Sequence, residues 1–186
     1  IRGTTITTIV PDDPLGRTPV YDTARTPDGA ILMATHSGLI RVMGQSRTTL
    51  VPGGATLTAA VVSLAVQPDG TVWAGTYGDG LWRVMPGHTD RLTTRDGLPS
   101  NAIRALVADN DGTVWIGTAD GGLAWFRNGR FESLDSTNGL NSDYVGQIID
   151  AGLSVWVGTA VGLVDVEKNR LFSAPSAAAT VVSTDG

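Results

Sequence analysis

Residues 109–122 read "DNDGTVWIGTADGG", and nearly the same phrase stands at 67–80 as "QPDGTVWAGTYGDG" and at 150–162 as "DAGLSVWVGTAVG". A looser copy, "PDGAILMATHSGLIRV", occupies 27–42. Aligned on the threonine that follows "GT" or "AT", the copies place Thr35, Thr76, Thr118 and Thr159 at spacings of 41, 42 and 41 residues. A period of ~40–45 residues fits one four-stranded propeller blade.

The pattern inside the unit favours strands over helices. In the third copy, "TVWIGTA" (113–119) alternates, with Val114, Ile116 and Thr118 on one face and Thr113, Trp115 and Gly117 on the other. It follows the apolar run "NAIRALVAD" (101–109) and precedes "GLAWFR" (122–127) and "RFESLD" (130–135). The last two are joined by Asn-Gly, a strong hairpin signal because both residues accept positive φ. Four short strands joined by tight turns make an up-and-down antiparallel sheet. No segment shows a sustained 3.6-residue apolar period with caps. The chain is therefore expected to be all-β, with blade-like repeats at about 20–52, 58–95, 101–136 and 143–174. The large apolar residue of the second strand reads as a wedge between neighbouring blades. Trp73, Trp115 and Trp156 fill that role, and Met33 is assigned to it in the first unit.

Composition narrows the function classes. The 186 residues carry a net charge of −5, which argues against nucleic acid and anionic membranes as partners. Lys168 is the only lysine beside twelve arginines. With no cysteine, a disulfide framework and a thiolate metal site are both ruled out. No apolar run reaches the ~20 residues of a membrane span.

Both ends read as parts of further blades. "TTITTIV" (4–10) has the pattern of a loose outer strand, and "ATVVSTDG" (179–186) that of an innermost strand stopping at its turn. The first residue is Ile rather than Met, which leaves a removed signal peptide or a longer parent open. Two leftover strands make half a blade, and open sheet edges recruit partners. The expectation is a piece of a larger propeller of about seven blades, or a ring closed by another copy.

Residues 96–135, "DGLPSNAIRALVADNDGTVWIGTADGGLAWFRNGRFESLD", resemble the two-component regulator propeller repeat, and 138–172 is similar with one residue fewer before its Trp. The shared motif is Gly-Leu with Ser-Asn or Ser-Asp, two apolar anchors three apart, an Asp/Gly turn and Trp-x-Gly-Thr. Residues 53–60, "GGATLTAA", and 11–19, "PDDPLGRTP", depart from its entry. The resemblance implies a sensor part: an exported, periplasmic propeller ahead of a membrane span and a cytoplasmic histidine kinase or diguanylate cyclase. Some members sense oligosaccharides.

Little in the sequence points to catalysis or metal. The two histidines, His36 in an inter-strand turn and His88 in "PGHTD", make neither a triad nor a metal site. "DNDG" lacks the alternate-position ligands and distal Glu of a calcium loop. "GTYGDG" (75–80) has no following helix to cradle phosphate. No cofactor and no metal is expected. The least repetitive residues gather where a blade's second turn and its entry link open on one face: His36, Tyr77, Asp79, Asn101, Asp120, Asp143 and Tyr144, with Arg104 facing the central channel. Aromatic faces with Asp and Asn acceptors suit sugar hydroxyls.

Three functions follow. The first is a non-catalytic, extracytoplasmic sensor of a carbohydrate or other small molecule. The second is an interaction or dimerisation platform. The third is a propeller lyase of the streptogramin-inactivating type, which would need a positioned base such as His36.

Overall fold

Sheet follows sheet along this chain, each an antiparallel meander. The structure, a computed structural model, describes residues 19–52 and 60–173. The first sheet runs β1 (Val20–Arg25), β2 (Ile31–Thr35), β3 (Gly38–Met43) and β4 (Ser46–Pro52). The second holds β5 (Val61–Val66), β6 (Val72–Thr76), β7 (Leu81–Met85) and β8 (His88–Leu92). The third holds β9 (Ile103–Ala108), β10 (Val114–Thr118), β11 (Leu123–Arg127) and β12 (Arg130–Leu134). The fourth holds β13 (Val145–Asp150), β14 (Ser154–Thr159) and β15 (Gly162–Glu167), followed by a short helix α1 (Lys168–Ser173). Strand order within every sheet is sequential. The first strands β1, β5, β9 and β13 pack on one another from sheet to sheet, so they form the hub of a β-propeller.

The repeated phrase is explained by the turns it builds. Asp69 and Asp111 accept the amides of Thr71 and Thr113 at 2.8 and 2.9 Å, closing the turn between first and second strands. The glycines of that turn, Gly70 and Gly112, sit at φ 87° and 89°, where a side chain would be strained. The threonine after "GT" closes the next turn. The hydroxyls of Thr35, Thr76, Thr118 and Thr159 donate to the carbonyls of Gly38, Gly80, Gly122 and Gly162 at 2.7–2.9 Å. Asn128 and Gly129 adopt φ 52° and 80° between β11 and β12, the two positive-φ residues of a tight hairpin.

Blade-to-blade packing follows the alternation of the second strand. Val114 and Ile116 join Trp73 in the cluster between the second and third sheets, while Trp115 joins Val155 and Val157 between the third and fourth. Trp73 meets Phe126 of the next blade in a tilted pair at 5.1 Å, and its indole N–H donates to Gln67 Oε1 at 2.9 Å.

Met33 does not lie at the wedge position. The residue three before Thr35 is Leu32, and it is Leu32 that enters the cluster with Val61, Val72 and Ala74 of the second sheet. Met33 packs with Ile40 and Val42 in a separate cluster of the first sheet. A one-residue slip along a strand exchanges its faces. The seam between the first two blades therefore pairs Leu32 and Val84 where the next seam has Trp73 and Phe126. A groove of about 360 Å³ remains there, lined by Leu50, Val72, Val84 and Pro86, with the Asp28–Arg41 ion pair at its rim.

Among the described residues the fourth unit shows three strands and then α1, where four strands were expected. Its third hairpin lacks the glycine found as Gly44, Gly87 and Gly129 in the others. Lys168 occupies that point instead. Its backbone N–H donates to Leu153 O at 3.0 Å, and its ammonium bridges Asp109 of the third sheet and Asp150 of the fourth, the latter at 2.6 Å. The helix then lays Phe172 against Trp115 at 6.0 Å, sealing the seam. The expected loose strands at 4–10 and 179–186 lie outside the described residues.

Candidate functional site

Each first strand carries the same irregularity. The pairing with its second strand slips between Val20 and Asp22, between Val61 and Ser63, between Ile103 and Ala105, and between Val145 and Gln147. The extra residues are Tyr21, Val62, Arg104 and Gly146, one per blade at equivalent positions. A bulge leaves its extra residue out of the ladder and re-aims the side chain. Tyr21, Val62 and Arg104 accordingly line a cavity of about 240 Å³ at the hub, together with Asp22, Ser63 and Gln147.

Arg104 links this cavity to two aromatic rings outside its lining. The guanidinium lies 4.2 Å from the ring centroid of Tyr77 and 6.0 Å from that of Tyr144. Its Nε is buried with no hydrogen-bond partner. An unmet buried donor costs about 1–3 kcal/mol, more when charged, so the two aromatic faces offset only part of that. Tyr77 and Tyr144 are 37% and 41% exposed, so the rings border solvent. The fourth bulge makes room for one of them. A Cβ on Gly146 would lie 2.9 Å from Tyr144 Cε1 and 3.0 Å from its hydroxyl oxygen. The cavity's one carboxylate, Asp22, accepts from the amides of Thr23 and Leu64 at 2.7 and 2.8 Å, which pins the first blade to the second.

The structure thus brings Tyr77, Arg104 and Tyr144 together and leaves the other candidates apart. Asn101 and Asp143 are braces at equivalent positions. Asn101 Oδ1 accepts the amide of Thr94, and Asp143 Oδ1 that of Ser136, at 3.0 and 2.7 Å; their carbonyls accept from Gly80 and Gly122. The neighbouring Leu98 and Leu140 are buried plugs, and the hydroxyls of Ser100 and Ser142 accept the amides of Ala102 and Tyr144. Asp79 is tied to Arg91 at 2.8 Å. Asp120 is exposed in the β10–β11 turn, and His36 is half-buried in the β2–β3 turn of the first blade. His88 is exposed and meets Asp90 at 2.6 Å. Trp73 and Trp115 are buried, and Trp156 is half-buried.

Sequence reasoning did not find Tyr21, Asp22, Gly146 and Gln147. The signal was present, since Tyr21, Val62, Arg104 and Gly146 stand 41, 42 and 42 residues apart. It also did not find the Lys168 bridge. Burial pushes the Lys168 ammonium down, but hydrogen bonds and charge from Asp109 and Asp150 outweigh it and hold the group above its usual value. Burial pushes the Asp109 carboxyl up, and Lys168 overrides it and holds the group below the usual range.

A meandering sheet repeated around a hub, with one odd residue per blade turned to the axis, defines a β-propeller with a polar channel site. Residues 97–120 match the two component regulator propeller family. No curated protein matches the chain. Among solved structures, the chain is similar to the extracellular domain assigned to the hybrid two component system BT3049 of B. thetaiotaomicron, with TM-score 0.69 and 19% identity over 96% of this chain and 27% of that one. A second such domain from B. thetaiotaomicron, of BT4673, gives TM-score 0.53 and 21% identity over 82% and 26%. Virginiamycin B lyase from Staphylococcus aureus gives TM-score 0.64 and 16% identity over 89% and 56%. At these identities the likeness establishes the fold. The chain spans about a quarter of the length of these two extracellular domains. No helix among the described residues is long and apolar enough to cross a membrane.

Proposed function

We propose that this chain is a non-catalytic, extracytoplasmic ligand-sensing segment of a two-component-type receptor, periplasmic in a bacterial cell, and that its ligand enters at the Tyr77–Arg104–Tyr144 mouth of the channel. The observation that carries the reading is a buried guanidinium nitrogen without an acceptor, set between two solvent-bordering rings. Such a constellation costs stability where it stands, which is expected of a site rather than of scaffold. The family match over residues 97–120 and the likeness to extracellular domains of two hybrid two component systems support the class. Calorimetric titration of the full chain with neutral and acidic oligosaccharides tests it. Saturable binding that Arg104→Met abolishes supports the site. Binding that Arg104→Met and Tyr144→Ala both leave intact overturns it.

A lyase reading would need a base beside the channel. His36 and His88 lie on different blades, and neither is among the residues lining the hub cavity.

A second observation concerns partners. On the fourth sheet Ile149 and Leu163 are 62% and 57% exposed beside the half-buried Trp156, which occupies the wedge position that Trp73 and Trp115 fill under a following blade. We propose that a further repeat of the same parent covers this face. Sedimentation of the chain tests it: a monomer is expected, and a dimer that Leu163→Lys dissociates would assign the face to a second copy.

A further inference from the structure

Six of the eleven cations among the described residues pair with a carboxylate, Arg170 with Glu167 among them. Arg41 pairs with Asp28, Arg83 with Asp90, Arg91 with Asp79, Arg127 with Asp111, and Lys168 with Asp109 and Asp150. Arg25, Arg95 and Arg130 are exposed, whereas Arg104, half-buried, stands apart. It has no ion pair among the described residues, two π faces lie by its guanidinium, and its Nε is buried and unmatched. The one carboxylate in the same cavity is taken up by two backbone amides. Among the described residues no acceptor reaches Nε, which leaves the guanidinium open to one carried by a ligand.

Resting on the reading of this mouth as the ligand site, we propose that its ligand is anionic: a carboxylate carried on a single hydroxyl-rich, sugar-sized ring. A planar guanidinium matches a carboxylate with two parallel hydrogen bonds, and charge-assisted bonds are roughly twice as strong as neutral ones. Around it, the Ser63 hydroxyl and the Gln147 carboxamide offer donors and acceptors to hydroxyl groups. The Tyr144 ring, which Gly146 leaves room for, supplies a face for the ring's apolar side. The volume of about 240 Å³ lies below the range that holds drug-sized ligands, so one ring fits and an extended chain continues into solvent. The net charge of −5 repels anions at a distance, so binding here has to come from local contacts rather than from a general field.

Arginine side-chain Nε–H spectra of the full chain, titrated with glucuronate and in parallel with glucose, test the inference. Glucuronate is expected to shift the Arg104 Nε–H signal saturably, and glucose to bind roughly tenfold more weakly. Arg104→Gln should erase that preference while leaving the near-UV circular dichroism unchanged. Equal binding of the two sugars, with Arg104 responding to both, overturns the anionic class and leaves the ligand site standing. No response of Arg104, Tyr77 or Tyr144 to either sugar overturns both. Should Arg104→Gln fail to fold, Gly146→Ala, which displaces the Tyr144 ring, is expected to weaken glucuronate binding, and unaltered binding would count against the proposal.

Discussion

Replacing Gly117 by alanine drives a methyl group into the neighbouring blade. The new Cβ would lie 2.7 Å from Val145 Cγ1, 2.8 Å from the Val145 carbonyl oxygen and 3.2 Å from Ala105 Cβ. A backbone oxygen cannot rotate away, so β13 itself has to move. Overpacking of this kind costs about 1–3 kcal/mol, and the lower chain entropy of alanine returns about 0.5–1 kcal/mol. The net loss should be about 1–2 kcal/mol, a fall of roughly 2–8 °C in Tm for a chain of this size. The protein contains its own control. Gly158 holds the same position in the fourth blade, where the nearest neighbour of a Cβ would be Gln147 Cβ at 3.2 Å. Gly158→Ala should therefore leave Tm unchanged or slightly raised. Thermal unfolding of the two variants side by side decides the matter. If Gly117→Ala and Gly158→Ala shift Tm equally, the packing of one blade's second strand on the next blade's first strand is not what sets the glycine, and the propeller argument loses its energetic basis.

Further outcomes can be stated more briefly. Lys168→Met removes the cation between Asp109 and Asp150 and should cost about 1–3 kcal/mol in chemical denaturation, because the half-buried Asp109 then loses its charged hydrogen-bond partner. In the native protein the depressed Asp109 value makes its contribution full above the ordinary 3.8 and lost as pH falls through the lower folded value. The raised Lys168 value makes its contribution full below 10.5 and lost as pH climbs through the higher folded value. Lys168→Met should flatten both limbs of the stability–pH curve. Trp73→Leu, which copies the first seam into the second, should cost about 2–3 kcal/mol, since a full Trp truncation costs about 3–5. Gly146→Ala should change stability by less than about 1 kcal/mol, because the clash falls on a movable ring. Equilibrium unfolding checks both.

The architecture was legible because each turn is written in residues whose chemistry is local. An Asp that accepts from the residue two places on, a glycine at positive φ and a threonine that donates to the far side of its own turn need no distant partner, and they recur at fixed spacing. The alternation in "TVWIGTA" likewise assigned Val114 and Ile116 to one neighbour and Trp115 to the other. What failed was what depends on register. Met33 and Leu32 are both apolar and adjacent, and only the count back from Thr35 says which faces the next blade. That β15 runs on into α1 turned on the same kind of detail, a hairpin glycine absent and a lysine able to reach two carboxylates on different sheets.

The site was half legible for a related reason. Variability picked out Tyr77, Arg104 and Tyr144, but it also picked out Asn101 and Asp143, whose oxygens turn out to be spent on the links between blades. The difference between the two groups is positional. Asn101 and Asp143 occupy one repeat position and perform one job twice, so their likeness marks them as scaffold. Tyr21, Val62, Arg104 and Gly146 also occupy one repeat position, yet share no chemistry. A bulge repeated at that position fixes the backbone while leaving the side chain free to differ. A propeller can therefore change what meets its channel, one blade at a time, without disturbing the seams that hold the blades together. Arg104 set beside a glycine that admits Tyr144 is the form this freedom takes here.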